Sequence, residues 1–302
     1  MTEIVLSAAA RPLGKSGVIA SPIAWGMWRF GEASVADSRL LIEAALDAGV
    51  TLFDTADIYG FDGRSNFGRA EQLLGSIFVA APDLRARMVL ATKGGIRPPV
   101  PYDQSATYLM QAIDASLRRL GVEQVDLYQI HRPDILAHPH EVARALEDMV
   151  VAGKVRAVGV SNFTPAQTRA LLAYLTVPLA SHQPEFSPLH LEPVENGLFD
   201  LMMEADVTVL AWSPLGGGRI GDPAEQRSRR VAAALDRVAA RFGVSRAVAT
   251  YAWIMAHPAR PIPIVGTQNR SRIAELPHVF KVRWTRQDWY DVLIAARGEK
   301  LP

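Results

Sequence analysis

Short apolar runs alternate with amphipathic helical stretches along almost the whole chain. Eight of the runs read as strands: IAWGM (23–27), VTLFD (50–54), MVLATK (88–93), VDLYQIH (125–131), VRAVGVS (155–161), LASHQ (179–183), VTVLAW (207–212) and IPIVG (262–266). They are apolar on both faces, as expected of parallel strands covered on both sides. Between them lie stretches with helical spacing, such as DSRLLIEAALDAG, TYLMQAIDASLRRLG and HEVARALEDMVVAGK, which end on Gly49, Gly121 and Gly153. Glycine is favoured there because a helix commonly closes on a left-handed residue. The repeating unit is therefore βα.

Eight such units without a long linker or a low-complexity segment predict an α/β fold, a single (β/α)8 TIM barrel, with a doubly wound sheet as the competitor. The barrel is favoured because the notable polar residues sit at strand C-termini in most units, the face at which barrel loops build a site. Residues 4–20, apolar and punctuated by glycine, read as an N-terminal β-hairpin over the barrel bottom that carries no chemistry; TRQDWYDVLIAARG reads as an extra C-terminal helix. Residues 1–302 are read as one domain, since α/β barrels of roughly 250 residues commonly form a single unit.

Composition narrows the partners. The 32 basic and 31 acidic side chains leave a net charge of +1, so no overall field favours nucleic acid or an anionic membrane. A small neutral or mixed-charge molecule is the expected partner. Cysteine is absent, which removes disulfides, thiolate nucleophiles and Cys-based zinc sites and suits a reducing cytoplasm. Residues 1–20 lack the apolar stretch of a leader, and no run approaches the roughly 18 apolar residues of a membrane span. His138 and His140 lack a third ligand at helical spacing, so no metal is expected and both are placed in solvent at the start of a helix.

The chemistry concentrates at the ends of the second, third and fourth strands. TLFDTADIYG sets Asp54 five residues before Tyr59; Lys93 follows in VLATKGG and His131 in LYQIHRPD. A carbonyl accepting hydride develops negative charge on oxygen and needs an acid near neutral pH. Tyrosine supplies the proton if its pKa falls from about 10, and an adjacent ammonium favours the phenolate. Lys93 is the available cation, Asp54 holds it charged, and His131 is a second hydrogen bonder to the substrate oxygen. Each residue alone has a plain structural explanation; the order Asp, Tyr, Lys, His at strand ends favours the chemical one.

DTADIYG, TKGG, QIHRPD, GVSNF (159–163), WSPLGGG (212–218) and GTQNRSRIAE (266–275) together resemble the aldo-keto reductases in order and spacing over almost the whole length, and look most like a bacterial branch of small oxidoreductases, the YdhF-like proteins. The resemblance implies an extended nicotinamide cofactor and carbonyl reduction with Tyr59 as general acid, with Trp28, Tyr59 and His131 touching substrate. It implies that Ser161, Asn162 and Gln183 hold the nicotinamide carboxamide, with Trp212 stacked on the ring and Gly26, Met27, Trp28 and Asp54 also at the cofactor. Ser213, Pro214, Leu215, Gly217 and Arg219 would form the pyrophosphate loop, whose glycines permit close backbone approach. Gly266, Thr267, Gln268, Arg272 and Glu275 would hold the adenosine end, with Arg272 on the 2′-phosphate. NADP(H) is therefore expected over NAD(H). Gly266 and Leu276 stand where many members carry lysine and asparagine, so NAD(H) use stays open. Met27, Trp28, Phe30, Ile58 and the loop 96–103 are the expected pocket walls, favouring an uncharged or aromatic carbonyl compound, unless Arg29, Arg64, Arg97 or Arg132 points inward. A cofactor-binding sensor or channel-associated regulatory subunit on the same fold is the alternative function. The sequence leaves the oligomeric state and the carbonyl substrate open.

Overall fold

The computed structural model describes residues 3–30 and 33–301. Eight parallel strands close into a barrel in chain order: β1 (Ala24–Gly26), β2 (Leu52–Asp54), β3 (Val89–Gly94), β4 (Val125–Ile130), β5 (Val155–Ser161), β6 (Leu179–Gln183), β7 (Thr208–Ala211) and β8 (Ile262–Val265). The β8–β1 pairing of Ile264 with Ala24 completes the ring. All eight predicted strands are present, and the barrel, not the doubly wound sheet, is the architecture. Helices cover the outside, including Val35–Asp47, Ala106–Leu120 and Pro139–Val151. The glycines that follow them, Gly49, Gly121 and Gly153, all have positive φ.

The interior is layered by the two-residue period of the strands. Leu52, Ala91, Leu127, Ala157 and Leu210 form one apolar layer, plugged from below by Leu13, Val18 and Ala20. Two residues further along the same strands come Asp54, Lys93, Gln129, Gly159 and Trp212. On β2, β3 and β4 the pleat therefore turns from apolar to polar within one step, at the C-terminal face. Alternate residues such as Trp25, Phe53, Leu90, Tyr128 and Val158 pack outward into the layer shared with the helices.

The N-terminal segment differs from the predicted single hairpin. Only Arg11–Pro12 and Ile19–Ala20 pair as a hairpin, and it covers the barrel bottom, where the Gly14 N–H donates to Thr208 Oγ1 at 2.8 Å. Glu3–Val5 instead pairs antiparallel with Arg283–Thr285, a pairing that no local spacing signals. The extra C-terminal helix forms over Arg286–Arg297, capped by Thr285, and Arg241 ties it to the helix Gln226–Phe242 through Asp288 at 2.6 Å. Among the described residues no helix is long and apolar enough to cross a membrane, and no group of side chains could hold a metal ion. His138 and His140 are exposed, with His138 capping Pro139–Val151.

Candidate active site

Asp54 ends β2, and the loop after it is stapled to β3: the Thr55 N–H donates to Ala91 O at 2.9 Å and the Asp57 N–H to Lys93 O at 3.0 Å. A turn bond from the Tyr59 N–H to Ala56 O at 3.1 Å, and one from the Ala70 N–H to Tyr59 O at 3.1 Å, fix Tyr59 against the helix Arg69–Ala80. His131 follows β4 and donates its backbone N–H to Gly94 O at 2.9 Å. The four residues singled out in the sequence thus meet at one rim.

Lys93 is fully buried. Its ammonium donates to Asp54 Oδ2 at 2.6 Å and to Thr55 O at 2.8 Å, and lies 4.9 Å from the centre of the Tyr59 ring. The His131 ring meets Tyr59 edge-on at 5.7 Å between centroids. Burial works to lower the Lys93 pKa, but Asp54 and Tyr59 together outweigh it and hold the ammonium above the ordinary lysine value. For Tyr59 the balance reverses the sequence expectation. Desolvation raises the phenol, Lys93 pulls it down, Asp54 pushes it up again, and the net shift is upward. Burial, then the charges of Lys93 and Arg132, hold His131 well below the ordinary imidazole value, and its Nδ1 is buried without a partner.

Asp54 has a second set of contacts. Gln183 Nε2 donates to its Oδ1 at 3.0 Å and Gln129 Nε2 at 3.3 Å, while Ser181 Oγ donates to Gln129 Oε1 at 3.1 Å. Gln129 and Ser181 complete the buried layer and were absent from the sequence reading. Their signal was there: each is a polar residue inside an apolar strand, in phase with an inward-facing neighbour. Gly159 leaves this layer its room, because a Cβ there would fall 2.2 Å from Ser181 Oγ and 3.0 Å from Gln129 Cγ.

Ser161, Asn162, Gln183 and Trp212 also converge. Asn162 has φ of 61°; its Nδ2 donates to Ser161 Oγ at 2.7 Å and His131 O at 3.1 Å, and its Oδ1 accepts from Trp212 Nε1 at 3.0 Å. Ser161 Oγ donates to Gln183 O at 2.8 Å. After β7, Gly216, Gly217 and Gly218 all have positive φ, and the loop folds on itself. The Gly217 N–H donates to Ser213 Oγ, and Arg219 Nε to Gly216 O, both at 2.8 Å; Pro214 is buried and Leu215 half-buried beside them.

After β8, Gly266 leaves open space around its Cα, and Thr267 O accepts from the buried Trp25 Nε1 at 2.9 Å. Gln268 Nε2 donates to Arg29 O. Asn269 caps the short helix Arg270–Ala274 by accepting from the Ser271 and Arg272 N–H groups. Two of the N–H groups at that end of the helix are thus taken up by the cap, and the Arg272 side chain beside them is exposed. Glu275 follows it, half-buried.

The loop after β1 corrects one expectation. Met27 and Phe30 turn into the core, 0% and 2% exposed, with Phe30 edge-on to Trp25 at 5.8 Å, so neither side chain walls a pocket. The Met27 backbone is also engaged, its N–H donating to Asp54 O and its carbonyl accepting from the Phe30 N–H, both at 2.9 Å, whereas Trp28 is 63% exposed. Of the four arginines considered, Arg97 is paired with Asp103 at 2.6 Å, and Arg132 lies 5.7 Å over Trp212, close enough to act on both Tyr59 and His131.

Asp57, inside the DTADIYG motif, is a further group the sequence reading passed over. Both its carboxyl oxygens are buried without a partner, as is the Tyr128 hydroxyl. A Cβ on Gly94 would lie 2.2 Å from that hydroxyl and 3.2 Å from Asp57 Oδ2. Burial, and then the nearby Glu71 carboxylate, raise Asp57 well above the ordinary carboxyl value. A carboxyl raised in the folded state contributes its stability in full below its unfolded pKa of about 4 and loses it as pH climbs through the folded pKa. Asp57→Asn should therefore match wild type near pH 4 and gain on it as the pH rises. Thermal unfolding across that range checks this; a variant that loses ground at alkaline pH would show Asp57 ionised in the fold.

The chain matches the Aldo/keto reductase family over residues 22–295. It is 60% identical over 304 residues to 6-dehydroglucose reductase of Novosphingobium aromaticivorans, covering 100% of both chains. It is 35% identical to oxidoreductase YdhF of Escherichia coli, covering 92% of this chain and 94% of that one. A crystal structure of a thermostable aldo-keto reductase with the inhibitor epalrestat superposes with a TM-score of 0.80 at 22% identity, covering 95% of this chain and 99% of that one. The closed barrel and the match across nearly its whole length lead to one conclusion: the chain is an oxidoreductase of the aldo/keto reductase family.

Proposed function

We propose that the protein is an NADP(H)-dependent reductase of small aldehydes and ketones, and that its substrate is a sugar aldehyde of the 6-dehydroglucose type. The observation that carries the reaction is the Lys93 ammonium bound to Asp54 at 2.6 Å beneath the Tyr59 ring. The substrate class rests on the full-length relative at 60% identity.

The donor set fits a nicotinamide cofactor. Ser161, Asn162 and Gln183 gather donors and acceptors beside the Trp212 indole at the strand ends, the combination a carboxamide on a flat ring requires. When bound, the reduced cofactor supplies the hydride. The chain's own residues handle the oxygen. Tyr59, kept as a phenol by its raised pKa, gives its proton to the carbonyl oxygen as the C–O bond becomes an alcohol. Lys93 offsets the negative charge left on the phenol oxygen, and Asp54 keeps Lys93 charged and in place. His131, neutral at physiological pH given its depressed pKa, hydrogen-bonds the same oxygen and orients it. Hydrogen-bond donors aimed at developing oxyanion charge are among the larger contributions to such rates.

A screen of 6-dehydroglucose, other aldehydes, ketones and sugars, with NADPH and NADH side by side, tests both parts. Turnover of 6-dehydroglucose with NADPH well above that of simple aldehydes is the expected result. Tight NADPH binding without turnover of any carbonyl would replace the enzyme by a cofactor sensor. In the same assay Arg272→Ala should weaken NADPH by about one to two orders of magnitude, the worth of a charged hydrogen bond of roughly 1.5–3 kcal/mol, and leave NADH little changed. Equal loss for both cofactors would remove Arg272 from the 2′-phosphate.

A further inference from the structure

A cavity of about 1080 Å³ lies at the opposite end of the barrel from Asp54 and Lys93. Pro22 and Pro261 line it, and they stand just before β1 and β8 in the chain, which places it at the N-terminal face. One wall is aromatic and rigid. Trp289 stacks on Trp253 at 4.7 Å with the planes 9° apart, and each indole N–H donates to the other residue's backbone carbonyl at 3.1 Å.

The same cavity is lined by Arg11, Arg260, Arg286 and Arg297 against one carboxylate, Glu195. That carboxylate is taken by Arg297 at 2.8 Å. Among the described residues Arg11, Arg260 and Arg286 make no salt bridge; Arg11 donates to the Arg260 carbonyl, and Arg286 lies 5.9 Å over the Tyr290 ring. Burial and the neighbouring Arg260 charge pull the Arg11 pKa down to about 10. An uncompensated like-charge pair beside a partly dry wall favours whatever brings a negative charge to it, and guanidinium groups bind carboxylates in fork geometry. The volume is that of a small-molecule pocket.

We propose that this cavity is a second binding site, for a small aromatic carboxylate whose ring packs on the Trp289–Tyr290 wall and whose charge meets Arg11 and Arg260. The site is independent of the carbonyl chemistry at the other face. Calorimetric titration of the full chain, saturated with NADPH, with indole-3-acetate and its neutral analogue indole-3-ethanol tests it. The acid should bind at least about tenfold more tightly than the alcohol, the difference a charge-assisted hydrogen bond makes. Arg11→Gln combined with Arg260→Gln should remove that difference while carbonyl reduction continues at the wild-type rate; Arg260→Gln alone, at an exposed position, serves if the double variant does not fold. Failure of the acid to bind, equal binding of acid and alcohol, or binding unchanged in the variants would overturn the proposal, the last because it would place the acid at the other face.

Discussion

Tyr59→Phe should slow carbonyl reduction by about 10²–10⁴-fold, the range for removing a general acid, with NADPH affinity near wild type. Only the hydroxyl is lost. The ring, its edge contact with His131 at 5.7 Å and the backbone bonds that seat it are unchanged, so the fold and the donor set around Ser161 and Asn162 should survive. Single-turnover measurement with saturating NADPH separates the chemical step from binding. A variant that retains most of its rate would show that another group protonates the oxygen. The raised phenol pKa also sets a pH expectation: reduction should hold through the neutral range and fall only at alkaline pH, where the proton leaves Tyr59.

Lys93→Met should be worse, because it damages the fold as well as the reaction. The substitution leaves Asp54 in a layer where both partners of the ion pair are at most 3% exposed, and an unpaired buried charge of this kind costs about 3–5 kcal/mol. Gln183 and Gln129 still donate to Asp54 Oδ1, which limits but does not remove the cost. Adding Asp54→Asn should recover most of the stability, since the lost partner's charge goes with it, and recover none of the activity. Denaturant unfolding read beside initial rates checks the split. Recovery of both would reduce the pair to a structural element.

The barrel was legible because its strands are apolar on both faces and several of its helices run into glycine, signals that local sterics write directly into the chain. Asp54, Tyr59, Lys93 and His131 were legible because each follows such a run. Gln129, Ser181 and Asp57 were harder. The first two are single polar residues within buried strands, marked only by their phase with inward-facing neighbours, and Asp57 is marked by the partners it lacks, which no spacing reveals. The upward shift of Tyr59 was beyond reach for a related reason: the sign depends on how desolvation balances one ammonium, a quantity of three-dimensional surroundings. Met27 and Phe30 were misplaced because an apolar residue after a strand looks the same whether it faces a pocket or the core.

The ladder between Glu3–Val5 and Arg283–Thr285 joins segments from opposite ends of the sequence. Glu3–Val5 therefore leaves the ribosome long before the segment it pairs with. Until Arg283–Thr285 is made, its backbone groups and the apolar side of Ile4 lack this partner, and the loop to be closed is long, an entropic cost that delays such contacts. The barrel can close before this ladder forms, which makes the pairing a late seal on an already assembled fold.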